Sequence, residues 1–462
     1  MDDDVQLIVA GGGSAGTMAA LSAARFGIQT ILIERESQLG GTSTVAGVNC
    51  WEPAVGATGL PYEFYQRMRE IPEAVGIYSL GRYGSNSPIP FPGAENILDP
   101  RFTYADTLRR YGLKGISIEI DKYRQQLHGV IFEPDVWHRT AVQMLKETGC
   151  CSVWLNKEIK DVRRKNDKTI EAALNDGSHV AARRWIDTTG LVACRLGARC
   201  FLGNNPQNPY LEGEPAGLNG VTRIFRISPV DVPRIEPLAD DIPEQCWWQK
   251  DFPAMVCTLY PNGDRHCNML PTFEGNEFMA MPPEIADREG LRRVASYWHF
   301  LQTHYTEFQH YRLAKIFPRS GIRETFQVEC EYMLKTEDLL LGCRRQSHSD
   351  IIALADHARD THGRGKSHCT ELAWPYGIPY RCLLPKGCPD LLIAGRIAGF
   401  SKAAASSCRL ARTMMMLGEA AGIATALAVE HKCGFPDVDV RALRDLLRRQ
   451  RVTLESDMES SL

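Results

Sequence analysis

Residues 5–16 read Val5-Gln-Leu-Ile-Val-Ala-Gly-Gly-Gly-Ser-Ala-Gly16, an apolar run that ends abruptly in glycine. Val5-Gln-Leu-Ile-Val-Ala10 has the density of β-formers expected of a strand buried on both faces. Gly11, Gly13 and Gly16 follow at G-x-G-x-x-G spacing, and Met18 to Arg25 continue as a helix rich in small residues. Gly27 ends that helix. Gln29-Thr-Ile-Leu-Ile33 then predicts a second strand closing on Glu34, 18 residues beyond Gly16. The stretch is a complete β-α-β unit.

In such a unit the first glycine permits a tight turn and the second lets backbone approach a pyrophosphate. The third lets helix and strand pack closely. Gly11, Gly13 and Gly16 fill these places, and the helix start at Ser14 and Ala15 offers free N–H groups and a partial positive charge to phosphates. Glu34 can accept hydrogen bonds from a ribose diol and would repel a 2′-phosphate. A glycine-rich turn with no nucleotide is the bland alternative, against which the whole unit argues more strongly than the motif alone. A dinucleotide is expected, NAD or FAD.

Later segments separate those two. Behind Glu34 and Arg35 stands a second glycine pair, Gly40-Gly41, followed by Thr42 and Ser43. Arg184-Trp-Ile-Asp-Thr-Thr-Gly190 has the form of a strand ending in a Thr-Gly turn. Asp390-Leu-Leu-Ile-Ala-Gly-Arg396 has the form of a late strand, and a helix from about Ser407 carries Gly418-Glu-Ala-Ala-Gly422. In this order the motifs resemble the glutathione-reductase-like FAD proteins. The nearest likeness is to FAD-dependent oxidoreductases related to the fumarate reductase and succinate dehydrogenase flavoproteins. Phe317-Pro-Arg-Ser-Gly-Ile-Arg-Glu-Thr325 and Tyr376-Gly-Ile-Pro-Tyr-Arg-Cys-Leu-Leu-Pro385 also look like elements of that group.

The resemblance implies FAD as cofactor. Gly11, Gly13, Ser14, Ala15, Gly16, Glu34 and Arg35 would hold it at the first loop, and Gly41, Thr42, Ser43, Ala46 and Gly47 along the ring. Ile159, Thr189 and Gly190 fall on the adenosine and pyrophosphate side, and Gly395, Arg396, Leu410 and Ala411 at the flavin edge. The implied fold class is α/β. A Rossmann-like FAD-binding domain of the GR2 type would be built from discontinuous segments 1–60, 131–222 and 386–455. An inserted α+β cap or substrate domain would come from 61–130 and 223–385, with a disordered tail at 456–462.

Composition agrees with two interleaved domains in 462 residues, at 44 % apolar and 24 % charged. A formal charge of −3 gives no reason to expect nucleic acid or an anionic membrane as partner. The three aspartates at the start do not resemble a targeting leader, and the apolar run Met414 to Val429 is short and interrupted by Glu419. Fifteen scattered cysteines without CxxC spacing predict reduced thiols in a cytoplasmic protein. The partner expected is a small-molecule substrate with an unidentified electron acceptor or donor, and a homo-oligomer is compatible.

The chemistry implied is hydride transfer between flavin N5 and a small polar or anionic molecule. Arg409 stands where related proteins bind a substrate carboxylate, with a surface salt bridge as the alternative. Arg323 could clamp an anion or pair with Glu324; Tyr380 and Arg381 lie on an extended segment that could reach the same place. Lys402 occupies a position where relatives often carry histidine, and at its ordinary pKa it is a poor base. Asn49 and Trp51 could face substrate or, for Trp51, the core. Attachment of the flavin stays open, with Cys50 one candidate anchor.

No metal is expected. His357, His362 and His368 lie near Asp350, Asp356 and Asp360, but not at spacings that share a helical face. Gly363-Arg-Gly-Lys-Ser367 reads as a mobile loop, not a P-loop, because Asp360 replaces its first glycine. Asn175-Asp-Gly177 reads as a hairpin turn. A flavin monooxygenase or halogenase is the runner-up, and an FAD-bound RNA-modifying or assembly protein the remote alternative.

Overall fold

Leu7–Ala10 becomes the central strand of a five-stranded parallel sheet, with all four side chains fully buried. The order across the sheet is Leu391–Ile393, Arg184–Asp187, Leu7–Ala10, Thr30–Ile33 and Cys151–Trp154. Val9 lies opposite Ile186 on one side and Leu32 on the other. Leu7–Ala10, Thr30–Ile33, Arg184–Asp187 and Leu391–Ile393 are buried along their whole length, whereas the edge strand Cys151–Trp154 is only partly so. This computed structural model describes residues 5–84, 87–110, 120–166, 169–245, 251–363 and 366–455; the expected tail at 456–462 lies outside them.

Helix Ser14–Arg25 follows the first strand and packs against the late helix Ala411–Glu430 through small residues. A Cβ on Gly422 would stand 2.6 Å from the Ala19 carbonyl oxygen, and one on Gly418 would overlap that of Ala15. Backbone therefore approaches backbone, and Ser22 Oγ donates to the Glu419 carbonyl at 3.0 Å. Ala411–Glu430 is long and apolar enough to cross a bilayer, yet 89 % of its most apolar window is buried against the rest of the chain. The expected single helix from Ser407 is two helices, Lys402–Cys408 and Ala411–Glu430. They are divided where Leu410 turns extended at ψ 152°.

A second sheet of eight strands runs from Tyr311–Ile316 to Cys50–Trp51, antiparallel except where Gly93–Leu98 meets Met255–Leu259. Phe225, Ile227, Met255 and Met269 on its strands share a core with Val294, Tyr297 and Leu301 of helix Pro283–His304. A smaller antiparallel sheet contains the predicted hairpin, Asn175-Asp-Gly177 joining Thr169–Leu174 to His179–Ala182.

Two expectations are corrected. Cys194 and Cys200 form a disulfide, because the chain turns through Gly197 and brings their Cα atoms to 6.4 Å. A search for CxxC spacing passes over a pair six residues apart. The run 363–367 is not an irregular loop in its described part: Arg359–Gly363 and Lys366–Thr370 pair as an antiparallel hairpin.

Candidate cofactor and substrate site

The first loop is shaped by what its glycines exclude. Gly11 has φ +92°, and a Cβ there would stand 2.5 Å from Thr188 Oγ1; a Cβ on Gly16 would overlap the Gly11 carbonyl. Gly13 differs, with nothing within 4 Å of its Cβ position. Helix Ser14–Arg25 begins there without a side-chain cap, so its first amides have no internal acceptor. Open space beside uncapped amides fits a pyrophosphate.

The second glycine pair closes on this loop. Gly40 N–H donates to the Gly12 carbonyl at 2.8 Å, a Cβ on Gly41 would lie 3.1 Å from Gly13 Cα, and Ser14 and Ser43 hydroxyls are 3.0 Å apart. Glu34 accepts from Gly12 N–H at 2.6 Å and from Glu36 N–H at 2.9 Å. Burial raises its pKa against those two bonds. Arg35 points outward, its side chain 68 % exposed.

Two later turns meet the same cradle. Asp187 accepts from the amides of Thr189, Gly190 and Ala193, which fixes the Thr-Gly turn. Gly395 has φ +96° and lies against Ala15 and Thr188. Ala46 is buried, and Gly47, at φ +71°, lies against the Phe317 ring. Ile159 is a buried residue of strand Ile159–Asn166. Leu410 precedes the uncapped start of the late helix at Ala411.

Beside that start is a cationic cluster. Arg409 Nη2 donates to Asp360 Oδ2 at 3.1 Å, and its Nη1 to the carbonyls of Asp360 at 2.9 Å and Ser406. The same Oδ2 accepts from His362 Nε2 at 2.8 Å. Burial opposes the Asp360 carboxylate, but His362 and Arg409 overcome it and hold its pKa far below the usual range. Burial, then the Arg323 charge, pushes His362 down to about 4. Arg323 Nη1 donates to the Gly220 carbonyl at 2.7 Å and Thr222 Oγ1 at 2.8 Å, both uncharged. Its pKa falls to about 10 through burial and then the charge of Arg409; Arg396 falls to about 10 for the same two reasons.

His357 borders this cluster. Its Nδ1 lies 2.8 Å from the Ala358 carbonyl, which requires the proton on Nδ1 and leaves Nε2 as acceptor. Burial, then the Arg110 charge, keeps it neutral, well below the usual histidine pKa. Arg110 is itself paired with Glu371 at 2.9 Å and Glu52 at 3.4 Å. On sequence, His357, Asp360 and His362 stand out only as weighed metal ligands. The signal that pairs the last two is their i, i+2 spacing on one strand, which places both on one face.

Three predicted residues are occupied elsewhere. Lys402 Nζ binds both Glu324 oxygens at 3.0 Å and the Gly217 carbonyl, so Glu324 serves Lys402 and not Arg323. Tyr380 is buried and donates to the Phe435 carbonyl at 3.0 Å. Arg381 forms a two-nitrogen pair with Asp350 at 2.9 and 3.0 Å. None of their partners is shared with Arg323 or Arg409. Trp51 packs on Phe132 with ring centroids 5.1 Å apart, and Asn49 donates to the Phe132 carbonyl at 2.6 Å, so both belong to the interior. Burial raises the Cys50 thiol far above its usual pKa.

Three solved structures show how far the likeness of this chain to known proteins extends. A geranylgeranyl bacteriochlorophyll reductase-like protein from Thermoplasma acidophilum is 13 % identical, with TM-score 0.49 over 96 % of this chain and 83 % of that one. CabE, an aromatic hydroxylase from angucycline biosynthesis, is 13 % identical, with TM-score 0.47 over 99 % and 71 %. A flavoprotein/dehydrogenase from Cytophaga hutchinsonii is 11 % identical, with TM-score 0.47 over 96 % and 85 %. No curated protein matches the chain. The family model for FAD dependent oxidoreductases matches residues 6–447, which contain the first glycine loop, the Gly40-Gly41 pair and the arginine cluster. The chain belongs to that family, and its cofactor is FAD.

Proposed function

We propose that this enzyme is a dehydrogenase or reductase that moves a hydride between FAD and a small anionic organic molecule. The carrying observation is the buried Arg409–Asp360 pair, with the Arg323 guanidinium close enough to feel both charges, beside the uncapped helix start at Ala411. In this reading the domains are the GR2-type FAD domain of 1–60, 131–222 and 386–455 and a cap of 61–130 and 223–385. FAD, when bound, supplies hydride acceptance or donation at N5.

The chain's own residues do the rest. The Gly13 to Ala15 amides hold the pyrophosphate, and Glu34 accepts the ribose diol. The amides at Ala411 stabilise negative charge on the ring edge. His357 Nε2, unprotonated in this tautomer, accepts a hydrogen bond from a substrate hydroxyl or amine and orients it.

The test is anaerobic reduction of the bound flavin, screened against hydroxy acids, dicarboxylates, amines and sugars. Bleaching by a hydroxy or amino acid, slowed in His357→Gln, is the expected result. Rapid bleaching by NADPH alone, with oxygen then incorporated into product, would replace this reading with a monooxygenase.

A further inference from the structure

We propose that the Cys194–Cys200 disulfide is a thiol-exchange site whose redox state sets how tightly the chain holds FAD. The site needs only the cofactor and is independent of the hydride-transfer reading. Cys194 is exposed and Cys200 half-buried, so a small thiol reaches the bond from solvent. Among the described residues the other cysteines are free, and only Cys369 of them is exposed. Both ends of the bond lead to the cradle. Cys194 belongs to the short helix Leu191–Arg195, whose entry is fixed by Asp187. That carboxylate accepts from the amides of Thr189 at 2.8 Å and of Gly190 and Ala193 at 2.9 Å. In the same turn Thr188 Oγ1 donates to the Ala10 carbonyl at 2.9 Å and lies 3.1 Å from that of Gly11.

Cys200 opens the strand Cys200–Leu202, where it lies opposite Val328 of the antiparallel strand Phe326–Val328. Val328 N–H donates to the Ile397 carbonyl at 3.2 Å, two residues past Gly395. The Phe326 ring stands where a Cβ on Gly190 would go, 2.1 Å away. The disulfide thus ties the Thr-Gly turn to the strand that braces the Gly395 turn. Exchange consumes two small thiols. One attacks a sulfur as its thiolate, the S–S bond breaks, and the electron pair leaves on the other cysteine. A second thiolate then frees the first cysteine, and the two small thiols depart as their own disulfide. The cysteines take up the two protons that the small thiols release. Arg195 and Arg199 follow Cys194 and precede Cys200 in the chain, with side chains 54 % and 70 % exposed. Their charge favours the departing thiolate and attracts an anionic thiol such as glutathione. With the bond open, the Asp187 contacts alone hold the turn, and FAD must order what the disulfide had already ordered.

The test equilibrates FAD-loaded enzyme in glutathione buffers, from reduced to oxidised. Thiols are then trapped with N-ethylmaleimide and read by peptide mass, and FAD affinity is taken from the flavin fluorescence released on dilution. Cys194 and Cys200 should pass together from alkylated to disulfide-bonded as the buffer is oxidised. FAD should bind about fivefold more weakly to the reduced enzyme. Cys194→Ser and Cys200→Ser should each bind FAD like reduced wild type, whatever the buffer. Alkylation of both cysteines in oxidised buffer overturns the site, and so does a bond that survives excess reduced glutathione. Equal FAD affinity in the two buffers overturns the coupling. Ser variants that still respond to the buffer assign the effect to another cysteine and overturn the proposal as well. Where a Ser variant does not fold, wild type compared between the two buffers decides by itself.

Discussion

Two glycines five residues or fewer apart in the first loop have opposite sensitivities. Gly16 has a carbonyl where its Cβ would go, so Gly16→Ala should lower unfolding stability by roughly 3–5 kcal/mol, read by denaturant melts of apoprotein. Gly13 has φ −67° and empty space at its Cβ, so Gly13→Ala should leave apoprotein stability within about 0.5 kcal/mol. The new methyl would fill the cradle, and FAD affinity should drop by about tenfold or more in a fluorescence titration. Equal FAD affinity in Gly13→Ala would remove the pyrophosphate from this loop. Glu34→Ala should also weaken FAD retention, measured as flavin-to-protein ratio after gel filtration, by removing the acceptor for the ribose and for the Gly12 amide.

At the level of elements, the crossing of Ser14–Arg25 with Ala411–Glu430 carries an unusual group, Glu419, inside the helix. Burial pushes its carboxyl up to about 8, against a Leu60 N–H bond of 2.9 Å. The folded chain thus keeps a proton that the unfolded chain releases near pH 4.5. The stability attached to it is complete below that pH, declines as pH rises, and is lost above about 8. Glu419→Gln, which keeps an acceptor for Leu60, should flatten the decline by up to about 1.4 kcal/mol per pH unit between those limits. The measurement is unfolding free energy against pH. An unaltered slope would mean that Glu419 is ionised in the folded chain.

For the whole molecule, segments distant in sequence meet at one cradle: Gly11 to Gly16, Gly40-Gly41, Thr188 and Gly395. A ligand bound there ties several elements together and binds only the folded form. FAD at a hundredfold excess over its dissociation constant should raise unfolding stability by about 2.7 kcal/mol, seen as an increase in Tm. Protein purified without added flavin should be yellow; colourless protein that takes up no FAD would contradict the family's cofactor.

The β-α-β unit was legible because its signals are local. Leu7 to Ala10 need only be apolar to demand burial, and Gly11, Gly13 and Gly16 need only their spacing to set a turn. Glu34 follows at the distance one helix and one strand require. The sequence alone therefore determined a dinucleotide fold and, with Gly40-Gly41 and the late strand, the flavin. Which charges pair was decided by tertiary structure. Glu324 neighbours Arg323 in sequence yet pairs with Lys402, 78 residues away, and Arg409 finds its carboxylate at Asp360, 49 residues away. Charge pairing depends on distance in space and on the water excluded around it, and neither is encoded in any short stretch of chain.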